Sequence, residues 1–342
     1  METKWTLVED ARAREFTFGV EIETTVPRGS GVRCGDYNSP IEMDERDYCD
    51  THGDPVWAPT FAGKHWTVEY DGTINYREGH IAAEFASPVL KGEEGLEAVL
   101  EMVAFLKRIG ARVNSGCGFH VHVGIESILG ESPDFDTTIS FVERVTAMTS
   151  DYTTALYAST GVDRESTGWC RRLSPYEKDA IKGISKIRGR KRERDDNKSY
   201  RFREGSSERY RALNLGRVFG WNRNVNGSST VEFRAFAGTL NPTKILGHIA
   251  SSLGLCSRAK HSRSARWDSR VEIGKRGGAG YKAVKGLLER FNWGVGCKWM
   301  GADNATKTMI AFGLFGAAFT KREAVKKKML AMAKKFDERY SR

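Results

Sequence analysis

Residues 16–26, FTFGVEIETTV, alternate apolar and polar positions and are rich in β-formers, which predicts a strand ended by Pro27 and Gly29. Residues 28–65 carry Gly, Pro and Asp without a clear period and predict a long surface loop. HWTVEYDGTI (65–74) predicts a strand running into an Asp-Gly turn, and HIAAEFASPVL (80–90) another closed by Ser87-Pro88. From Glu93 to Ile109 the apolar residues Leu96, Val99, Leu100, Val103 and Leu106 follow helical spacing. The acidic first turn, the basic Lys107 and Arg108, and the following Gly110 suit the two ends of a helix.

GCGFHVHVG (116–124) predicts a strand with Phe119, Val121 and Val123 on one face and His120 and His122 on the other. A helix is expected over 137–158. RYRALNL (209–215) and STVEFRAFAGTL (229–240) read as strands flanking a polar hairpin with Asn-Gly at 226–227. Helices are expected near 243–258, 280–290 and 320–340. There is no internal repeat and no clean linker. Strands dominate the first two-thirds and helices the last third, so the class is α+β.

The polar positions of these strands are unusual. Glu21/Glu23, Glu69/Asp71, His120/His122 and Glu232/Arg234 each stand two apart, with apolar residues between or beside them. A sheet face that was merely solvated would carry mixed Thr, Ser, Lys and Gln. Glutamates, histidines and an arginine on four strands point to one functional face. Carboxylates with an imidazole make a hard, oxygen-rich site suited to Mg²⁺ or Mn²⁺. An arginine among them suits a phosphate, and metals with arginines around phosphate describe phosphoryl transfer. The usual phosphate loop, GxxxxGK[ST], does not occur; RGGAG (276–280) before a predicted helix is a weaker phosphate candidate.

Composition narrows the class further. The chain has 342 residues, 39% hydrophobic and 29% charged, which fits a globular protein with a sizeable core. Its start is polar and mixed in charge, unlike a signal peptide, and the apolar stretch Met309–Phe319 is too short to span a bilayer. Cytoplasmic location and no membrane partner follow as expectations. Six scattered cysteines without a CxxC pair suit free thiols, and Cys34, Cys49 and His52 match no standard zinc spacing. The net charge of +10 favours anionic partners. Much of it is local: 186–209 holds ten Lys/Arg against five Asp/Glu, and 321–342 holds nine against three. Such runs are ordinarily solvated faces.

FGVEIE (18–23), DGTI (71–74), EFASPVL (84–90), GCGFHVHVG (116–124) and TVEFRAFAGTL (230–240) occur in this order. The ordered set, over roughly 16–255, resembles the amidoligase family of the glutamine synthetase/glutamate–cysteine ligase-like superfamily. The resemblance implies an ATP-dependent carboxylate–amine ligase acting through an acyl phosphate. Its fold would be a curved, largely antiparallel β-sheet funnel with helices on the outer face, like the glutamine synthetase catalytic domain. One catalytic domain over 1–342 is then expected, with insertions at about 28–65 and 161–209, the latter basic and lid-like, and a basic helical region over 243–342.

By this resemblance Glu21, Glu23, Glu84, His120 and Glu232 are metal ligands for Mg²⁺ or Mn²⁺. His122 and Arg234 contact ATP, and Arg211 is a second phosphate arginine, with Arg209 equally near. Which histidine takes metal and which phosphate stays open. Asp71 falls where the family has Asp-Gly-Ser, here with Thr73 in place of the serine. It either orients and deprotonates the amine or is a turn residue without chemistry. Substrates would be a small-molecule or peptide carboxylate and an amine, with a large acidic partner or nucleic acid as a further partner of the basic lid. Two other readings remain: a metal-dependent nuclease, and a basic nucleic-acid-binding protein.

Overall fold

The computed structural model describes residues 15–36, 39–44, 48–160, 162, 164, 167–173, 181, 210–218 and 229–262, with isolated helical positions between 324 and 335. The strands are β1 (Thr17–Pro27), β2 (Ile41–Glu42), β3 (Tyr48–Cys49), β4 (Pro55–Val56), β5 (Thr60–Phe61), β6 (Lys64–His65), β7 (Thr67–Glu69), β8 (His80–Ala86), β9 (Leu90–Lys91), β10 (Gly118–Gly124), β11 (Leu213–Asn214) and β12 (Thr230–Ala237). The helices are α1 (Gly92–Arg108), α2 (Ile125–Leu129), α3 (Phe135–Thr160) and α4 (Pro242–His261). Eight strands form one sheet in the order β11-β12-β10-β1-β8-β7-β2, with β9 also paired to β1. Every strand pair in it is antiparallel, so the α+β reading holds.

Strict alternation explains why the sheet has two different faces. Phe18, Val20 and Ile22 of β1, Ala83 and Phe85 of β8, and Phe119, Val121 and Val123 of β10 all enter the hydrophobic core. The helices close that face: α1 packs on β1, α3 on β12, and α4 on β10. Leu96, Val99, Met102, Val103 and Leu106 are the buried stripe of α1, as the helical period required. Gly110, at φ +82°, follows its C-terminal end. Asn241 caps α4 by accepting the Lys244 N–H at 3.1 Å, and Pro242 starts the helix without needing a donor.

One irregularity shapes how β12 meets the core. The β10–β12 register shifts between Phe119 and Val121, whose partners are Phe236 and Phe233. Two steps on β10 therefore face three on β12, a bulge that lets both Phe233 and Phe236 reach the core.

The 28–65 segment differs from the expected surface loop. It forms the ladders β3–β4 and β5–β6 and an edge strand, and it buries Met43, Tyr48 and Val56. Tyr48 packs edge-on against Phe105 of α1 at 5.3 Å. The expected strand over 65–74 is also shorter. After β7 the chain turns at Asp71, whose carboxylate accepts the Thr73 N–H at 2.7 Å. Among the described residues of RYRALNL only Leu213 and Asn214 are strand. The Asn-Gly hairpin at 226–227, RGGAG and the helix near 280–290 lie outside the described residues, as does most of 161–209. No helix among the described residues is long and apolar enough to cross a membrane.

Candidate functional site

Register brings the polar residues of five strands onto one patch. Glu21 pairs with His120, Glu23 with Glu84, Glu84 with Glu69, and His122 with Glu232. With apolar neighbours turned to the core, these side chains share the other face. All but His122 wall a cleft together with Asp71, Thr73, Arg164, Trp169, Tyr210, Asn214, Arg217 and Arg234.

The centre of the patch is Glu21. Its Oε2 meets His120 Nδ1 at 2.8 Å and its Oε1 meets His122 Nε2 at 2.9 Å. His120 Nε2 lies 3.4 Å from Glu23 Oε1, and its Nδ1 lies 3.7 Å from Glu232 Oε1. Glu232 is held at both oxygens: Arg234 donates to Oε1, and Asn214 donates to Oε2 at 2.6 Å. Glu23 accepts the Gly118 backbone N–H. A Cβ at residue 118 would stand 2.7 Å from His120 Nε2 and 3.1 Å from both Arg164 Nη2 and Glu23 Oε1. Only glycine leaves room there for the ring, the carboxylate and the guanidinium to converge.

Charge in this patch is unbalanced. Burial raises the Glu84 carboxyl well above the usual carboxylate range, and the nearby Glu21, Glu23, Glu69 and Asp71 add to it. Burial also works to raise Glu21, but His122 and His120 outweigh it and hold that carboxyl well below the usual range. For Glu232 burial is likewise overcome, chiefly by Arg234, and the value falls to about 2. One end of the patch is therefore neutralised by histidine and arginine, while the Glu84 end carries carboxylates that repel one another.

Three sets of side chains among the described residues place ligand atoms within 4.8 Å of one another: Glu21–Glu84–His120, Glu21–His122–Glu232, and Glu23–Asp71–Glu84. Their donors are carboxylate oxygens with at most one imidazole each, which fits a hard divalent cation such as Mg²⁺ or Mn²⁺. Each histidine belongs to one set, so the geometry offers both to a metal. Asp71 serves as a turn acceptor and also belongs to a ligand set. Arg211 stands apart: it does not line the cleft, and its Nη1 donates to the Arg172 carbonyl at 3.3 Å.

Several wall residues had no sequence signal. Arg164 is buried, donates from Nη1 to the Cys117 carbonyl at 3.1 Å, and follows α3 in a stretch without periodicity. Trp169 and Arg217 likewise come from weakly patterned chain, whereas Tyr210 belongs to the RYRALNL run. Asn214 sits in the RYRALNL run, whose alternation marked a strand but not a role. Glu69 was visible, two residues before Asp71 on the same face.

A family profile described as "putative amidoligase enzyme" matches residues 14–255, a span that contains every residue named in this patch. The chain belongs to the amidoligase family. No curated protein matches it. An amidoligase joins a carboxylate to an amine.

Proposed function

We propose that this amidoligase is an ATP-dependent carboxylate–amine ligase that forms its amide bond through an acyl phosphate. The observation that carries the reading is the convergence of Glu21, Glu23, Glu84 and Glu232 with His120 and Arg234 on one sheet face. An antiparallel sheet with one apolar, helix-covered face and one carboxylate-lined face is compatible with a glutamine synthetase-like catalytic domain. Divalent cations held by Glu21, Glu23, Glu84, His120 and Glu232 would supply charge neutralisation for the phosphates.

The chain's own groups divide the remaining work. A substrate carboxylate oxygen attacks the γ-phosphorus of ATP and the bond to ADP breaks. Arg234, fixed by Glu232, stands ready to offset charge on the phosphoryl group being transferred. The amine nitrogen then attacks the acyl carbon, inorganic phosphate leaves, and the amine proton passes to a base. Asp71, at the β7 end of the cleft, fills that role. His122 is offered either to metal or to phosphate, and Arg211 has no part in the steps.

The test is product analysis. Protein with ATP, Mg²⁺ and pooled carboxylates and amines releases ADP and phosphate only when both substrate classes are present. Release of AMP and pyrophosphate contradicts the acyl phosphate. E232Q and H120A abolish this turnover while their melting stays cooperative. The nuclease reading drew on carboxylates with histidine and a basic surface, and the nucleic-acid-binding reading on the basic runs; the amidoligase family match supports neither, and the runs lie almost wholly outside the described residues.

A further inference from the structure

We propose that Trp169 and Tyr210 form the platform on which the base of a purine nucleotide stacks. The inference rests on the ATP-dependent reading above and deepens it by giving the nucleotide an orientation in the cleft.

Trp169 lines the cleft, yet it is 42% exposed, one of six large apolar side chains left to solvent among the described residues. Its ring meets that of Tyr210 edge to face, with centroids 5.1 Å apart and planes at 70°. The two come from segments 41 positions apart in the chain that are laced together. The Arg171 N–H donates to the Tyr210 carbonyl at 2.8 Å, and the Ala212 N–H to the Arg171 carbonyl at 2.7 Å, in a parallel bridge. The same frame is tied through the Arg164 carbonyl. It accepts Thr167 Oγ1 at 2.8 Å and Cys170 Sγ at 3.1 Å. Trp169 is thus exposed on a braced frame. An indole presented this way offers a flat face to a planar ring, and stacking on it does not require a particular base edge.

Position within the cleft selects a nucleotide among planar ligands. Tyr210 is followed by Asn214, Gly216 and Arg217, and beside them stand Glu232 and Arg234, all lining the same cleft. The aromatic pair therefore shares the β11–β12 side with two guanidinium groups, while Glu69, Asp71 and Glu84 occupy the β7–β8 side. A ligand with an aromatic ring at one end and phosphates at the other matches that order. With the base on Trp169, the phosphates run toward Arg234 and the metal sets, and the Asp71 side stays open for the amine.

The experiment measures binding by the full-length protein in Mg²⁺, with Mg–ADP and inorganic tripolyphosphate as separate probes, by calorimetry. The inference predicts that W169A weakens Mg–ADP at least tenfold, leaves tripolyphosphate within twofold, and that W169F recovers most of the loss. Unchanged Mg–ADP binding in W169A overturns the platform. So does an equal loss of both probes, which would place Trp169 in support of the phosphate site. If the wild-type protein binds tripolyphosphate and not Mg–ADP, the base has no site and the inference fails. If it binds neither, the ATP-dependent reading fails first and takes the inference with it.

Discussion

Glu23 and Glu84 face each other directly across the β1–β8 ladder. Like charges in that position destabilise a sheet by up to roughly 1 kcal/mol, and Glu69 stands opposite Glu84 on its other side. Hydrophobic packing on the reverse face outweighs this: one fully buried Phe or Leu contributes about 1.5–3 kcal/mol, and that face holds many. The repulsion persists in the folded chain as a stored preference for a cation.

E84Q therefore separates stability from metal binding. Glu84 has a raised folded-state value, so the native chain binds more protons than the unfolded one above the ordinary carboxylate value of about 4.3. Its contribution thus falls as pH rises from there toward the folded value. In EDTA near neutral pH, E84Q should melt higher than wild type by about 1–2 °C for each kcal/mol gained. Added Mn²⁺ should raise the wild-type melting temperature by more than that of E84Q, which keeps only the Glu21–His122–Glu232 set. A lower E84Q melting temperature in EDTA contradicts the repulsion.

Asn214 fixes Glu232 from the side opposite Arg234. Losing such a partner typically costs about 10–100-fold in metal affinity or activity. N214A is expected to weaken Mn²⁺ binding by that order in a calorimetric titration, with little change in melting. N214D, which sets a carboxylate against Glu232 Oε2, should do worse than alanine; equal effects would remove the hydrogen bond from the account.

Gly118 is required by space, because a methyl group there meets the His120 ring. G118A should cost about 1–3 kcal/mol in a urea titration and weaken Mn²⁺ binding as His120 is displaced. Unchanged values on both counts would show that the ring has room to move.

His248 lies behind the site, its ring stacked on Phe236 at 4.3 Å. Burial, aided by Lys244, lowers it to about 3. Because the folded value is below the unfolded value of about 6.5, the unfolded chain takes up the proton first as pH falls. Stability is thus full above about pH 6.5 and declines by up to ~1.4 kcal/mol per pH unit down toward the folded value. H248F keeps the stack without the proton, so its urea midpoint should fall less than that of wild type between pH 7 and 5. Parallel curves for the two proteins would exclude His248 as the source.

What the chain reveals by itself follows from how each residue is placed. Glu21, Glu23, His120, Glu232 and Arg234 lie on strands whose two-residue period forces a shared face, so reading the period locates them. The bulge in β12, by contrast, leaves no pattern, yet it decides how Phe233 and Phe236 both reach the core. Arg164 and Trp169 reach the cleft through long-range contacts that no local period encodes, and the alternation around Asn214 marked a strand without showing its hold on Glu232. The 28–65 segment read as a loop because its strands are two residues long, too short for alternation to register.

The most direct measurement is anomalous diffraction from crystals grown with Mn²⁺ and a non-hydrolysable ATP analogue. The account predicts manganese peaks on the face formed by Glu21, Glu23, Glu84, His120 and Glu232, with the terminal phosphate beside Arg234. A nucleotide bound elsewhere, or manganese absent from that face, would contradict it.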